Sequence, residues 1–593
     1  MPSPALADRA VAAAQAGGWV ETEAPESIHD LLYDGIDQWL AGEEDSPAQL
    51  WLNVVTLLRQ LDRRDAEVSA CRAALAALPD QAYFHFRLAE TLYRTGLDAE
   101  ARDELAELTR RGCETDDSIL LSLRLAAGRP EDFARRLPAA EAWFASRRQW
   151  GEQHKDFIRL LVTTGEHDRA AAMLQHHIGT VGFSPDNLHE MAMLSMHTGQ
   201  FAAARALFGQ LWAVGESEYH LMIGRFSGHL APYDESLERG FLDRIETAFA
   251  RTQPVPTTAL PDLELPARLP RVVYVSFRNE PLPNDLAHHF VQSGRSVGLD
   301  ISAYLDSGLT LSGETRVTDE EIARRLAHFE AEMERIRPDV ILLDRPEPAM
   351  ARGLQPAVLE ALKKRLGFRL VLITRDSHRY AMAVVEPWMH LAEFALIFHP
   401  LSQLLEPGQT ARPDKIAVFP VPAFYPRDPA PPERDLNLTF VGNILFPLRY
   451  ALLSVLLTEN LPVSAFYGEH RARHAPDMAA YWHLLERSRA VINVSAHTHD
   501  EHLITGRVWE TVAAGALLVE QANPATECCF IPWRHYLPWE TIDDVAQIAR
   551  FVQRNPEVAA RMAAEAQAWA LKHFGARRFW ANLLHRAGTA LPQ

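Results

Sequence analysis

The sequence predicts an α-helical repeat solenoid followed by an α/β region in which two Rossmann-like domains face a cleft. Helix-period apolar spacing, rich in alanine, runs from about residue 28 to 230 and is punctuated by turn glycines. A proline-rich stretch without apolar period follows at 251–270. Beyond it, short β-branched runs alternate with helical patterns, as a parallel sheet covered on both faces requires. At 593 residues the chain is too long for one core. The implied domains are helical repeats (1–250), a linker (251–270), a first Rossmann-like domain (271–430) and a second with closing helices (431–593).

The repeats come first. One helix ends near Asp62 and the next unit ends its first helix at Gly96, 34 residues on; Gly128, Gly165 and Gly199 follow. Ala101 and Leu105 stand five and nine residues after Gly96, Ala170 and Leu174 after Gly165, Ala204 and Phe208 after Gly199. The small residue lets two helices approach, and the larger one fills the groove beside it. LAETLYRTGLDAEARDEL and LSMHTGQFAAARALF resemble tetratricopeptide (TPR) repeats, with irregular spacing around Gly128. Such solenoids present a concave surface to a peptide or protein, so a protein partner is expected here; scaffolding or dimerisation is the alternative.

The linker RTQPVPTTALPDLELPARLP carries five prolines. Strands are then expected at 271–277, 299–305, 339–344, 368–374, 394–398 and 415–419. A second series is expected at 436–442, 463–468, 490–495 and 516–520, with a helical tail from about 541 to 590. Two α/β domains joined near residue 430 place a cleft between the carboxyl ends of their sheets, where ligands of open α/β folds bind.

Composition excludes several classes. A formal net charge of −19 argues against nucleic acid or an anionic membrane as the main partner. The cysteines Cys71, Cys113, Cys528 and Cys529 form no CxxC pattern, so neither a disulfide framework nor a zinc site is expected. No run of 18 apolar residues is present, and the start does not read as a signal peptide. A cytoplasmic protein without a membrane span is expected.

The segment GRVWETVAAGALLVEQANPATE (506–527) carries the most chemistry. Arg507 to Ala514 reads as a helix ended by Gly515, with the strand ALLVE following at once. Glu510 lies close behind the end of AVINVS, where its carboxylate can accept two hydrogen bonds from a ribose diol. Arg507, one turn earlier, can reach a diphosphate as a charge-assisted donor. The turn NPATE offers backbone N–H groups to phosphate. An ordinary helix–strand connection with a surface Glu and Arg is the alternative.

This segment resembles the nucleotide-sugar-binding segment of GT-B glycosyltransferases, and within them the CgeB-like, or spore-maturation-protein, branch of the group-1 enzymes. The resemblance extends to FVG (Phe440, Val441, Gly442) followed by Arg449, to FYG (Phe466, Tyr467, Gly468), and to the closing tail AQIARFVQRNPEVAARMAAEAQAWALKHF. It covers about 271–590 and is more specific from 436 onward. It implies that Glu510 binds the donor ribose, that Arg507 and Arg449 bind the diphosphate, and that Gly442 admits the donor close to backbone. Gly468, His502, Thr526 and Glu527 complete the implied donor site. One departure stands out. Many group-1 enzymes carry a glutamate eight residues before the second; here that position is His502, beside Glu501, which leaves sugar identity and stereochemistry open.

In the first Rossmann-like half, strand-end loops carry FRNEPLPND, DRPEP and TRDSHRY. Asp376 and His378 follow a buried strand directly, and either would serve as the base that takes an acceptor hydroxyl proton. Alternatively Asp376 caps the next helix and His378 is a polar cleft residue; Asn284 and Asp285 are further candidates or N-caps. No DxD pair stands at a clean strand end, and His497 and His499 make an incomplete ligand set, so no metal is expected. No cofactor is expected beyond the nucleotide-sugar as co-substrate; basic side chains and helix ends would hold the leaving diphosphate. The resemblance implies sugar transfer to an acceptor, and the fused repeats lead us to expect a protein, such as flagellin or another surface protein, recruited by them. A polysaccharide or lipid acceptor, an inactive GT-B scaffold and an epimerase are the alternatives.

Overall fold

The computed structural model describes residues 47–60, 62–147, 151–214, 230–278, 285–311, 315–344, 346, 352–374, 385–398, 400, 412–426, 432–443, 447–468, 475, 477–495 and 502–588. They form two compact units. One contains 1–166 with the segments 307–333 and 347–359; the other contains 167–306, 334–346 and 360–593.

In the first unit, helices α1 (Pro47–Gln60), α2 (Arg64–Ala77), α3 (Ala82–Arg94), α4 (Asp98–Arg111), α5 (Asp116–Ala127), α6 (Pro130–Ala145) and α7 (Glu152–Thr163) follow one another through short turns. The turn after α3 places Gly96 at φ 82°, a left-handed conformation that glycine adopts without strain. Asp62 takes φ 49° at the matching position after α1, the short polar side chain that best tolerates it. Gly128 after α5 has φ −75°, so the unit with irregular spacing also turns differently. Leu88, Leu92, Ala101 and Leu105 share one buried cluster, so the small-then-large pair packs as its spacing predicts. Segments 307–333 and 347–359 return to the same helices. Arg352 donates to Asp62 at 2.9 Å and to Asp319 at 2.8 Å, while Asp65 and Asp319 exchange backbone N–H bonds at 3.3 and 3.1 Å.

The second unit opens with α8 (His167–Val181), α9 (Pro185–His197), α10 (Phe201–Val214) and α11 (Glu235–Ala250). Gly165 and Gly199 have φ 84° and 74°, and Ala170, Leu174, Ala204 and Phe208 are all buried. The first sheet contains β1 (Arg271–Ser276), β2 (Asp300–Leu305), β3 (Val340–Asp344), β4 (Arg369–Thr374), β5 (Phe394–Ile397) and β6 (Ile416–Val418), all parallel, in the order β2-β1-β3-β4-β5-β6. The second contains β7 (Leu436–Asn443), β8 (Val463–Gly468), β9 (Ser488–Asn493), β10 (Leu517–Gln521) and β11 (Tyr536–Trp539), also parallel, in the order β11-β10-β9-β7-β8. Helix α12 (Asp285–Ser296) covers the first sheet. Helices α13 (Pro447–Thr458), α14 (Met478–Arg487), α15 (Gly506–Ala513), α16 (Pro524–Glu527), α17 (Ile542–Arg554), α18 (Pro556–Phe574) and α19 (Ala576–Arg586) belong to the second half.

Three features tie this unit together. Helix α19 crosses to α12, where Trp580 Nε1 donates to Ser293 Oγ at 3.0 Å and its ring meets Phe290 edge-on. Helices α9 to α11 bury Leu188, Phe208, Phe241 and Ile245 in one cluster with Leu448, Leu452 and Phe551 of the second half. The linker is ordered as a strap: Leu260 is buried, its carbonyl accepts from Arg578 at 2.9 Å, and Asn582 donates to the Pro261 carbonyl at 2.8 Å. No helix among the described residues is long and apolar enough to cross a membrane. The architecture is a TPR-like helical solenoid followed by a GT-B fold, two Rossmann-like domains facing a cleft.

Candidate functional site

Helix α15 sits at the carboxyl end of the second sheet because its apolar face demands burial: Val508, Trp509 and Val512 are in the core. It ends in a Schellman arrangement. Gly515 adopts φ 68°, its N–H bonds the Val512 carbonyl at 3.0 Å, and the Ala516 N–H bonds the Thr511 carbonyl at 3.1 Å. Arg434 and Gln567 satisfy the carbonyls of Ala514 and Ala513, each at 2.9 Å. At the other end the N-cap Thr505 turns its hydroxyl to Asn493 Oδ1, 3.1 Å away, instead of capping the helix. A helix start not closed by its own cap favours an anion.

Arg507 lies in that first turn, beside the end of β7. A Cβ on Gly442 would stand 2.9 Å from Arg507 Nη1, so glycine is what lets the guanidinium lie against this strand. Arg449, on the first turn of α13, is lowered to about 9 by burial and then by the charge of Arg507. Two guanidinium groups held close against a strand end repel each other, and a bound phosphate chain would offset that repulsion.

Glu510 is 2% exposed and has both oxygens engaged: Oε1 lies 2.8 Å from His289 Nε2, and Oε2 accepts from the Tyr481 hydroxyl at 2.6 Å. His289 comes from α12 of the first half, so this carboxyl bridges the cleft. His289 Nδ1 lies 3.3 Å from the Tyr425 hydroxyl, and its ring meets Trp482 edge-on. The neighbouring His288 is pushed down to about 4, first by burial and then by His289, against the pull of Asp285 and Glu510. Arg507 Nε approaches the Tyr481 hydroxyl at 3.4 Å, joining the arginine pair to the carboxyl cluster.

The fold therefore brings Gly442, Arg449, Arg507 and Glu510 together. Gly468 closes β8, in register with Asn443 of β7. His502 is half-buried, in the stretch where the Leu503 N–H bonds the Ser495 carbonyl at 2.8 Å. Thr526 is buried with its N–H taken by the Asn523 side chain at 2.8 Å, and Glu527 is exposed. Asp285 begins α12 and binds the N–H of Leu286 at 2.9 Å. Asp376, His378, Asn284, His497, His499 and Glu501 lie outside the described residues. Among the described residues no three His, Cys, Asp or Glu side chains are grouped to hold a metal ion. Sequence reasoning missed His289, Tyr481 and Tyr425; the first two reach Glu510 and Tyr425 reaches His289, all from other parts of the chain, and the sequence signal is the HH pair on α12.

Residues 434–585 match the family model described as glycosyl transferase-like. No curated protein matches the chain. Among solved structures, the chain is similar to Anabaena HepE in complex with UDP, at 10% identity over 54% of this chain and 100% of that one, with a TM-score of 0.36. A mutant of the Thermobaculum terrenum O-GlcNAc transferase aligns at 14% identity over 92% of this chain and 98% of its own, with a TM-score of 0.33. A thermophilic TPR protein of Thermus thermophilus aligns at 20% identity over 28% of this chain and 91% of its own, with a TM-score of 0.22. Gly442, Arg449, Arg507 and Glu510 all lie within this glycosyl transferase-like segment.

Proposed function

We propose that the chain transfers a sugar from a nucleotide-sugar donor to an acceptor recruited through the helical repeats, and that this acceptor is a protein. The observation that carries the reading is the pair Arg449 and Arg507 beside Gly442, one helical turn from the buried carboxyl of Glu510. The arginines bind the diphosphate and stabilise it as it leaves, the uncapped start of α15 adds its dipole, and Glu510 accepts from the ribose diol. A ribose hydroxyl would replace the His289 contact on Glu510, so donor binding loosens one bridge across the cleft. Asp376 and His378, which follow β4 in the sequence, are the proposed source of a base for the acceptor hydroxyl. Neither a resident cofactor nor a metal is needed in this reading, and a cytoplasmic location follows from its use of cytosolic donors.

The test is a thermal-shift screen of the full chain against UDP-, GDP-, dTDP- and CMP-sugars, with Arg507→Ala as control. Stabilisation by one nucleotide class, lost in the variant, supports the reading and names the donor. Stabilisation by none of them sinks it.

A further inference from the structure

The second half carries a buried acid outside the arginine and Glu510 cluster. Glu520, near the end of β10, is fully buried and stands in register with Asn493, near the end of β9. Its Oε2 accepts from Asn493 Nδ2 at 2.8 Å and its Oε1 from Asn523 Nδ2 at 3.1 Å. Each amide then passes the link on. Asn493 Oδ1 accepts the Thr505 hydroxyl, at the N-cap of α15, at 3.1 Å. Asn523 donates to Ser495 Oγ at 3.2 Å and accepts the Thr526 N–H at 2.8 Å. The chain leaving β9, the start of α15 and the turn after β10 therefore meet on one carboxyl group.

We propose that Glu520 is a positioning residue of the anion site: through Asn493 and Thr505 it fixes the start of α15, and so the place of Arg507. The inference rests on the reading of Arg449 and Arg507 as the diphosphate site. Its physical logic is that an asparagine amide has two faces. Glu520 turns Oε2 as an acceptor to Asn493 Nδ2, which leaves Asn493 Oδ1 facing Thr505 and turns the Thr505 hydroxyl away from its own helix. The uncapped helix start is then a consequence of Glu520. Burial pushes the group up to about 8, against the downward pull of bonds from Asn493, Ser495 and Asn523. The acid is thus uncharged at neutral pH, and the network carries no anion that would compete with a bound phosphate.

The experiment uses the full chain and two readouts. One is calorimetric titration with inorganic pyrophosphate; the other is hydrogen exchange over residues 502–508. Glu520→Ala should weaken pyrophosphate binding about tenfold or more, because small misplacements of a binding group are costly, and should speed exchange at the start of α15. Glu520→Gln keeps an acceptor for Asn493 and should stay within about threefold of the wild type with unchanged exchange. Thr505→Val cuts the same link at its far end, and it decides the matter if the alanine variant does not fold: it should also weaken binding. Wild-type affinity in Glu520→Ala or in Thr505→Val overturns the proposal, as does failure of Glu520→Gln to rescue. If the wild type itself ignores pyrophosphate, the diphosphate reading fails and the role in the anion site with it. The exchange data then report separately on whether Glu520 orders α15.

Discussion

At the scale of single residues, burial sets the electrostatics of the second half. Glu520 has an ordinary unfolded value near 4.3 and is pushed up to about 8 in the fold. Between those values the folded chain holds a proton that the unfolded chain has lost, so stability falls as pH rises from about 4.3 to about 8. Glu520→Gln removes that term. Its melting temperature relative to the wild type should rise between pH 5 and pH 8, and a difference independent of pH would contradict the assignment. Gly442 offers a complementary test. An added methyl meets the far end of the flexible Arg507 side chain, not backbone, so Gly442→Ala should leave the melting temperature unchanged. It should still weaken pyrophosphate binding, by calorimetry, about as much as Arg507→Ala does. A lowered melting temperature with intact binding would place the glycine in the fold and not in the site.

At the scale of elements, strands bounded by turn residues were legible, and ten of them lie where β-branched runs predict. β11 was not, for a physical reason. Pro538 interrupts the run HYLPW, and proline argues against a central strand. β11 is an edge strand, where a missing N–H is tolerated. The site was half legible. Arg507 and Glu510 are one turn apart on α15, so local spacing exposes them, whereas His289 reaches Glu510 across 221 residues of sequence and only the fold brings it there. The end of α15 supports a further prediction. Gly515 at φ 68° has Arg434 Nη2 at 3.1 Å and Gln567 Nε2 at 3.3 Å from where a Cβ would stand. Gly515→Ala should cost about 1–2 kcal/mol of stability, the penalty of a left-handed L-residue, measured by denaturant unfolding. A cost near zero would mean that the Schellman turn does not hold this helix end.

At the scale of the whole molecule, a boundary in composition is not a boundary in packing. The proline-rich stretch suggests that the repeats end at residue 250 and that a chain cut near Pro270 would keep a working GT-B fold. Within the second unit, however, Phe241 and Ile245 of α11 and Leu188 and Phe208 of α9 and α10 lie in the same apolar cluster as Leu448, Leu452 and Phe551. Asn555 and Gln547 of the second half also spend their amides on Glu238 and on the Ala231 carbonyl. The strap adds Leu260, buried among the residues of the closing helices. Cutting at Pro270 would remove α8 to α11 and the strap and so expose their partners Leu448, Leu452 and Phe551 to water, at roughly 1.5–3 kcal/mol for each one fully uncovered, and would strand Arg352 and Asp319 without Asp62 and Asp65. That loss is a large share of the stability of an ordinary domain. A chain beginning at Pro270 should therefore be aggregated or unfolded, with no cooperative melt and no pyrophosphate binding. A soluble product that melts and binds like the full chain would show that helices α8 to α11 only rest on the second half. In the expected case the part played by the repeats in choosing an acceptor has to be read from point substitutions on their exposed faces.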